Sequence, residues 1–236
     1  MQAVVLAGGL ATRLLPQTER TPKSLIEVAG RPFIDWQLRR LREAGFDEVL
    51  LCIGHLGERV VAHVGDGTRF DLRVSYSEDG PRLLGTAGAL RRALDRLAPT
   101  FLVTYGDSYL PFDYASPLRE LDAHPDALGA MSVFRNDGRW DASNTEIRGS
   151  LVVRYEKGTN DPACDHIDYG AIALRREVIA DLVSGKPCGL DSVQTRLAAA
   201  GQLRAVVATA RFYEIGSAAG WQALDEALRA RRLPGR

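Results

Sequence analysis

Apolar residues recur at two different periods along the first half of the chain. Residues 2–6 form a short apolar run that ends in Ala7-Gly8-Gly9, the pattern of a buried strand entering a loop. Over residues 32–44, Phe33, Ile34, Leu38 and Leu41 fall at helical spacing, with Pro32 in the first turn and Gly45 as a stop. Residues 48–53 read as a second buried strand, 56–64 as a shorter helix and 72–76 as an alternating strand. Thr86 suits the N-cap of a helix reaching about residue 97, and 101–105 is a further buried strand stopped by Gly106-Asp107-Ser108. This β-α alternation predicts an α/β fold: a Rossmann-like, doubly wound, mixed but mainly parallel sheet with helices on both faces.

The second half changes character. Residues 129–135, 145–148, 151–156 and 167–174 read as strands, and Gly149-Ser150 supplies a hairpin turn between the second and third of them. Helices are expected over 176–183, 190–200 and 218–232. Linkers, repeats and low-complexity stretches are absent from the sequence. Residues 1–236 therefore read as a single domain in two lobes, about 1–125 and a smaller, β-rich one over about 126–236.

Charge and composition narrow the function classes. Thirty Lys+Arg balance thirty Asp+Glu, so bulk electrostatics point to neither nucleic acid nor a membrane surface as a partner. Apolar runs fall short of the ~20 residues of a membrane span, and the N-terminus lacks the basic lead of a signal peptide. Cys52, Cys164 and Cys188 are widely spaced and form no CxxC, which argues against a disulfide framework or a cysteine zinc site. The four histidines lack metal-ligand spacing as well. The expected location is the cytoplasm, and a homo-oligomer stays open.

Parallel sheets bind ligands beyond the carboxyl ends of their strands, which directs attention to the loop after the first strand. It reads Leu6-Ala7-Gly8-Gly9-Leu10-Ala11-Thr12-Arg13-Leu14, followed by Thr21-Pro22-Lys23-Ser24-Leu25. Glycines let the backbone approach a nucleotide, and Arg13 and Lys23 offer cations to a polyphosphate. The spacing fits neither GxxxxGK[ST] nor GxGxxG. As composition alone, the glycines could equally do no more than turn the chain.

The whole string is more specific. LAGGLATRL followed by TPKSL resembles the signature of the sugar-1-phosphate nucleotidyltransferases, the nucleotide-sugar pyrophosphorylases. Further matching blocks follow in order: Leu84-Gly85-Thr86-Ala87-Gly88-Ala89-Leu90, Tyr105-Gly106-Asp107, Glu156-Lys157, Tyr169-Gly170 and Glu214-Ile215-Gly216-Ser217. The resemblance implies that an NTP and a sugar 1-phosphate are converted to an NDP-sugar and pyrophosphate. Such chemistry needs positioning and charge stabilisation more than a protein nucleophile, since a phosphate oxygen is already ionised at neutral pH.

By the same resemblance, Arg13, Lys23 and Asp107 are the catalytic residues. Leu6, Ala7, Gly8, Gly9, Thr12, Arg13, Gly85, Thr86, Gly88 and Asp107 line the nucleotide. Lys23, Tyr109, Asn144, Glu156, Lys157, Asp168 and Gly170 face the sugar phosphate, and Asp107 with Glu214 holds Mg²⁺. Several positions depart from the family pattern. Ala11 replaces a glycine, Leu15 a common arginine, Ser24 the second proline of PKPL, Glu214 an aspartate and Asp168 an asparagine. The segments YGDSYL, IDYG and RFYEIGS look most like short bacterial heptose-1-phosphate guanylyltransferases, with N-acetylmuramate-1-phosphate uridylyltransferases as the next comparison. A catalytically silent nucleotide-sugar-binding protein is the alternative from another class; a glycosyltransferase is disfavoured because the chain lacks a DxD motif in this context. At 236 residues the nucleotidyltransferase core is accommodated without the added C-terminal domains of longer relatives.

Overall fold

The computed structural model describes residues 1–9, 20–80 and 82–233. Along the chain, β1 (Gln2–Ala7), β2 (Glu27–Val28) and β3 (Arg31–Pro32) precede α1 (Phe33–Glu43), β4 (Glu48–Ile53), α2 (Gly57–Val64) and β5 (Arg73–Glu78). Next come α3 (Gly85–Arg92), β6 (Thr100–Tyr105), β7 (Ser108–Tyr109), α4 (Ser116–Ala123) and β8 (Gly129–Arg135). Strands β9 (Thr145–Arg148), β10 (Leu151–Tyr155) and β11 (His166–Arg175) lead to α5 (Arg176–Ala180) and α6 (Leu190–Ala199). Strands β12 (Leu203–Ala208) and β13 (Tyr213–Glu214) then lead to α7 (Ala218–Arg229). These elements group into two compact units. One comprises Met1–Arg82, Thr104–Pro111 and Phe212–Arg236; the other comprises Leu83–Val103 and Phe112–Arg211.

In the first unit β1 pairs in parallel with β4, and β4 with β5, in continuous six-residue registers. The apolar runs seen in the sequence explain this arrangement. Val4, Val5, Leu50 and Leu51 are fully buried, as both faces of a parallel sheet require. The crossovers β1-α1-β4 and β4-α2-β5 advance in one direction, so their right-handedness puts α1 and α2 on the same face. The second unit is mixed. Strand β8 is parallel to β12 and antiparallel to β11, while β9 and β10 form the expected hairpin, with Gly149 at φ +59° in its turn. The α/β class expected from the alternating periods is therefore the one observed.

Local expectations were corrected where a tertiary contact replaced a local signal. Thr86 is not an N-cap: α3 starts at Gly85 with Leu84 in the cap position, and the Cys188 carbonyl accepts from the Ala87 and Gly88 N–H groups, each at 3.0 Å. The helix expected to reach residue 97 stops at Arg92 and continues as a 3-10 turn over Leu94–Arg96. Helix α5 ends at Ala180 instead of near 183, ahead of a Gly185 turn at φ +74°. Helix α7 closes at Arg229, with Arg231 at φ +54°. Helix α4 was not foreseen, although its Ser116-Pro117 start and buried Leu118 and Leu121 carry a proline-initiated helix signal. The two-residue strands β2, β3, β7 and β13 are too short to show any period. Among the described residues, no helix is long and apolar enough to cross a membrane.

Candidate active site

In the first unit, the carboxyl ends of the parallel strands converge on glycines. A Cβ on Gly8 would stand 2.0 Å from Asp79 Oδ2, and one on Gly54 would stand 2.6 Å from the Gly8 carbonyl. Gly8 follows β1, Gly54 follows β4 and Asp79 follows β5, so three strand ends meet where only backbone fits. Asp79 also helps burial push the Cys52 thiol up to about 12. Beside them, the Gly106 N–H donates to the Leu6 carbonyl at 2.9 Å, and a Cβ on Gly106 would press on Ala7 at 2.9 Å. The turn carrying Asp107 thus lies against Leu6 and Ala7, both expected at the nucleotide.

The Asp107 turn is clamped from several directions. Gln37, buried on the inner face of α1, donates its Nε2 to the Tyr105 carbonyl at 2.7 Å and to the Ser108 carbonyl at 3.3 Å, straddling Gly106-Asp107. The Ile215 N–H donates to the Asp107 carbonyl at 2.9 Å, and β13 pairs with β7 so that Glu214 stands opposite Ser108. The Asp107 carboxylate pairs with the Lys23 ammonium, and both side chains keep partial solvent access. Asp107 and Glu214 are therefore held on neighbouring backbone, and Lys23 reaches Asp107 through its side chain. Gly9 lies just beyond Gly8, and among the described residues nothing comes within 4 Å of its Cβ position. Thr12, Arg13, Ala11 and Leu15 lie outside the described residues.

Tyr109 occupies a different place from the one its expected role requires. It is 1% exposed, packed in an apolar cluster with Val28, Phe33, Trp36, Ile215 and Leu224, and burial pushes its hydroxyl up to about 12. A side chain enclosed by aliphatic and aromatic neighbours is core, and it presents no face to a sugar.

The carboxylates of the first unit suit a magnesium ion in chemistry. Asp107 already draws a cation, the Lys23 ammonium, and Glu214 offers a second carboxylate from the paired strand. Among the described residues no group of three or more His, Cys, Asp or Glu forms a closed metal cage. Mg²⁺ characteristically takes one or two carboxylates and fills its octahedron with phosphate oxygens and water, so a partial donor set fits it.

In the second unit, four of the residues expected on the sugar side cluster around a strand irregularity. Strand β11 loses register with β8 between Asp168 and Ile172, and Gly170 sits there at φ +101°, a conformation that favours glycine. The Gly170 N–H donates to Asp168 Oδ1 at 2.9 Å, and the Asp168 N–H donates to Asn144 Oδ1 at 2.9 Å. The Glu156 N–H in turn donates to the Asn144 carbonyl at 2.8 Å. Burial raises the Asp168 pKa against the lowering effects of Gln194, the Gly170 N–H, Lys157 and Tyr155. The Asp168 carboxyl group is densely surrounded by protein although the residue keeps some solvent access. The Glu156 carboxylate is exposed and paired with Arg154.

Gly85, Thr86 and Gly88 are closely packed in this unit. A Cβ on Gly85, at φ +74°, would stand 2.7 Å from the Cys188 carbonyl, and one on Gly88 would stand 2.6 Å from Leu84. The Thr86 hydroxyl accepts from the Leu190 N–H at 2.7 Å. The Cys188 carbonyl already takes the Ala87 and Gly88 N–H groups, which are the donors a phosphate would seek at this helix start.

Comparison with known proteins shows the family. The model of the nucleotidyl transferase family matches residues 2–140, more than half of the 236. The chain belongs to the nucleotidyl transferase family. The family resemblance read from the loop and the ordered blocks is borne out at that level. An N-acetylmuramate alpha-1-phosphate uridylyltransferase of Neisseria meningitidis is 36% identical over 131 residues, covering 55% of this chain and 57% of the relative. A UTP–glucose-1-phosphate uridylyltransferase of Synechocystis sp. is 31% identical over 202 residues, covering 79% and 52%. The chain spans about half the length of the curated relatives it matches. The crystal structure of HddC from Yersinia pseudotuberculosis complexed with GMP-PN superposes with a TM-score of 0.79 at 23% identity, covering 96% of this chain and 99% of that one. At that identity the likeness establishes the nucleotidyltransferase fold and no more.

Two residues at these sites carry no motif, namely Gln37 and Gln194. Their signal is a polar residue on an apolar helix stripe. Gln37 lies with Phe33, Ile34, Leu38 and Leu41, and Gln194 with Leu190, Val193, Leu197 and Ala198, all buried.

Proposed function

We propose that the chain transfers a nucleotidyl group from an NTP to a sugar 1-phosphate, releasing pyrophosphate and an NDP-sugar. One observation carries the reading: Lys23 and Asp107 pair beside Leu6, Ala7 and Gly8, at the carboxyl ends of parallel strands in a family member. A sugar-phosphate oxygen attacks the α-phosphorus in line, the bond to the bridging oxygen breaks, and pyrophosphate leaves with that oxygen. Lys23 meets the α-phosphate and the sugar phosphate. Arg13 steadies the charge developing on the departing phosphates. Leu6, Ala7, Gly8, Gly9, Thr12, Gly85, Thr86 and Gly88 line the nucleotide. Asp107 and Glu214 would hold Mg²⁺, which supplies charge neutralisation to the phosphate oxygens when bound. Asn144, Glu156, Lys157, Asp168 and Gly170 take the sugar phosphate.

In this reading residues 1–236 act as one nucleotidyltransferase domain, and the product is a GDP-heptose or a similar NDP-sugar for cell-surface glycans. The N-acetylmuramate-1-phosphate uridylyltransferase reading is supported by the Neisseria relative. Pyrophosphate release from GTP, UTP, dTTP, CTP and ATP, each with a panel of sugar 1-phosphates and Mg²⁺, tests the proposal. Release with a guanylyl–heptose pair, or with a uridylyl–N-acetylmuramate pair, decides between the two. Silence with every pair, alongside tight NDP-sugar binding, would make the protein a sensor.

A further inference from the structure

Strand β11 carries Asp168 near one end and a cavity at the other, both within the second unit. Asp168 is the third residue of the ten-residue β11 and Arg175 its last, a separation of about 20 Å at the rise of a strand. The cavity has a volume of about 560 Å³, inside the range of small-molecule sites. Arg175 lines it together with Arg176, Glu177 and Ala180 of α5, and Pro99, Thr100 and Pro125 complete the wall.

Two guanidinium groups meet here without an acid to neutralise them. Among the described residues neither Arg175 nor Arg176 forms an ion pair, and nor does Glu177. Arg175 Nε donates to the Ala127 carbonyl at 2.8 Å, and its Nη2 to the Leu121 and Pro125 carbonyls at 3.3 and 3.4 Å. Arg176 Nη1 donates to the Leu97 carbonyl at 3.3 Å. Carbonyl dipoles orient a guanidinium but carry no net charge, so both cations keep their charge for an anion. Arg175 Nη1 and Arg176 Nε and Nη2 have no acceptor among the described residues.

Backbone ties hold the pair in place. The Arg175 N–H donates to the Leu128 carbonyl at 3.1 Å, ahead of β8, and the Arg176 N–H to the Pro99 carbonyl at 2.9 Å, ahead of β6. Donors ordered in advance lose less entropy when a ligand binds. The rest of the lining narrows the ligand class. Guanidinium N–H groups match phosphate oxygens in pairs. Pro99, Pro125 and Ala180 offer apolar contact to a ligand body, and the exposed Glu177 carboxylate accepts from hydroxyl groups. Glu177 also opposes additional phosphates, which favours a single phosphate over a chain of them.

We propose that the cavity at Arg175 and Arg176 is a further anion site, for a phosphomonoester with a hydroxylated body, set apart from the sugar-side residues. Sugar phosphates and nucleoside monophosphates share this chemistry. The site goes beyond the transfer reaction and does not depend on it.

Glucose 6-phosphate, AMP and ADP are titrated into the full chain, with glucose and adenosine as controls, and the amide NMR shifts of Thr100, Arg176, Glu177 and Ala180 are followed. Saturable shifts are expected with glucose 6-phosphate or AMP and none with the controls; the tighter binder of the two identifies the source. The shifts should survive Lys23→Ala and weaken with added salt. Arg176→Ala should raise the Kd about tenfold, as for one charge-assisted hydrogen bond. Glu177→Gln should narrow the preference for AMP over ADP, and an unaltered preference overturns the selectivity for monoesters. Absence of saturable shifts, or an unchanged Kd in Arg176→Ala, overturns the site. Loss of the shifts in Lys23→Ala overturns it as well, by assigning them to the substrate site. Arg175 is left intact because its guanidinium holds three carbonyls; if Arg176→Ala does not fold, Arg176→Gln carries the same comparison.

Discussion

Two carboxylates organise the two units, and each is governed by a buried glutamine, yet they are left in opposite electrostatic situations. In the Gly106-Asp107 turn, Gln37 donates to the backbone carbonyls on either side, and the Asp107 carboxylate remains for a cation, Lys23. At the β11 irregularity, Gln194 donates to the carboxylate of Asp168 itself, which is enclosed and raised in pKa by burial. The same side chain on the same kind of helix stripe thus frees one acid for a cation and commits the other to hydrogen bonds. The difference lies in which acceptor the amide reaches: a carbonyl leaves the acid's charge available, whereas the acid oxygen consumes part of it.

The largest break in this comparison should come from Asp107→Asn. If the free carboxylate serves phosphate transfer, turnover with Mg²⁺ should fall by about 10²–10³ or more, as for loss of a preorganised charge-stabilising group. Near-wild-type kcat would remove Asp107 from the mechanism. Next comes a contrast between glycines. Gly85→Ala combines φ +74° with a clash against the Cys188 backbone, and should cost about 2–4 kcal/mol in urea unfolding. Among the described residues the nearest atoms to a Cβ on Gly8 belong to the end of the Asp79 side chain rather than to backbone, so Gly8→Ala should cost less. Equal losses would mean that Asp79 is held as rigidly as backbone.

Gln37→Met leaves the Tyr105 and Ser108 carbonyls short of a donor and should lower stability by about 1–3 kcal/mol, measured by urea midpoint. An unchanged midpoint would mean that the Asp107 turn is held without it. A smaller effect concerns pH. The Asp168 pKa is raised in the folded protein, so as pH climbs above the ordinary aspartate value the unfolded chain gives up its proton first. The contribution of Asp168 to stability therefore falls from the ordinary value up to the raised one. Asp168→Asn should flatten this slope in urea midpoints taken from pH 4 to 8; an unchanged slope would place its origin elsewhere. The smallest response is expected of Arg154→Ala, whose partners Glu156 and Asp161 lie at the surface, and its melting temperature should match wild type.

The extent to which each region was legible in the sequence follows from the range of the forces involved. Strands β1, β4 and β8 and helices α1 and α6 were visible because burying one face imposes a period on neighbouring residues. Asp107, Lys23 and Gly170 could be named because their motifs are local strings. The role of Tyr109 as core was not visible, since its burial depends on Val28, Trp36 and Leu224 arriving from distant parts of the chain. Thr86 misled for the same reason: the Cys188 carbonyl, about a hundred residues away, caps the helix that a threonine seemed to start.

The sequence by itself determined the α/β class, the family-signature loop and the acids and cations that chemistry on phosphates requires, because periodicity and motif are properties of adjacent residues. Tertiary structure alone decided which polar groups are satisfied. A glutamine among leucines is only an anomaly on a helix stripe until packing shows that Gln37 faces two carbonyls and Gln194 a carboxylate. Hydrogen bonding is short-ranged and directional, so its outcome is fixed only once distant segments are brought within 3 Å.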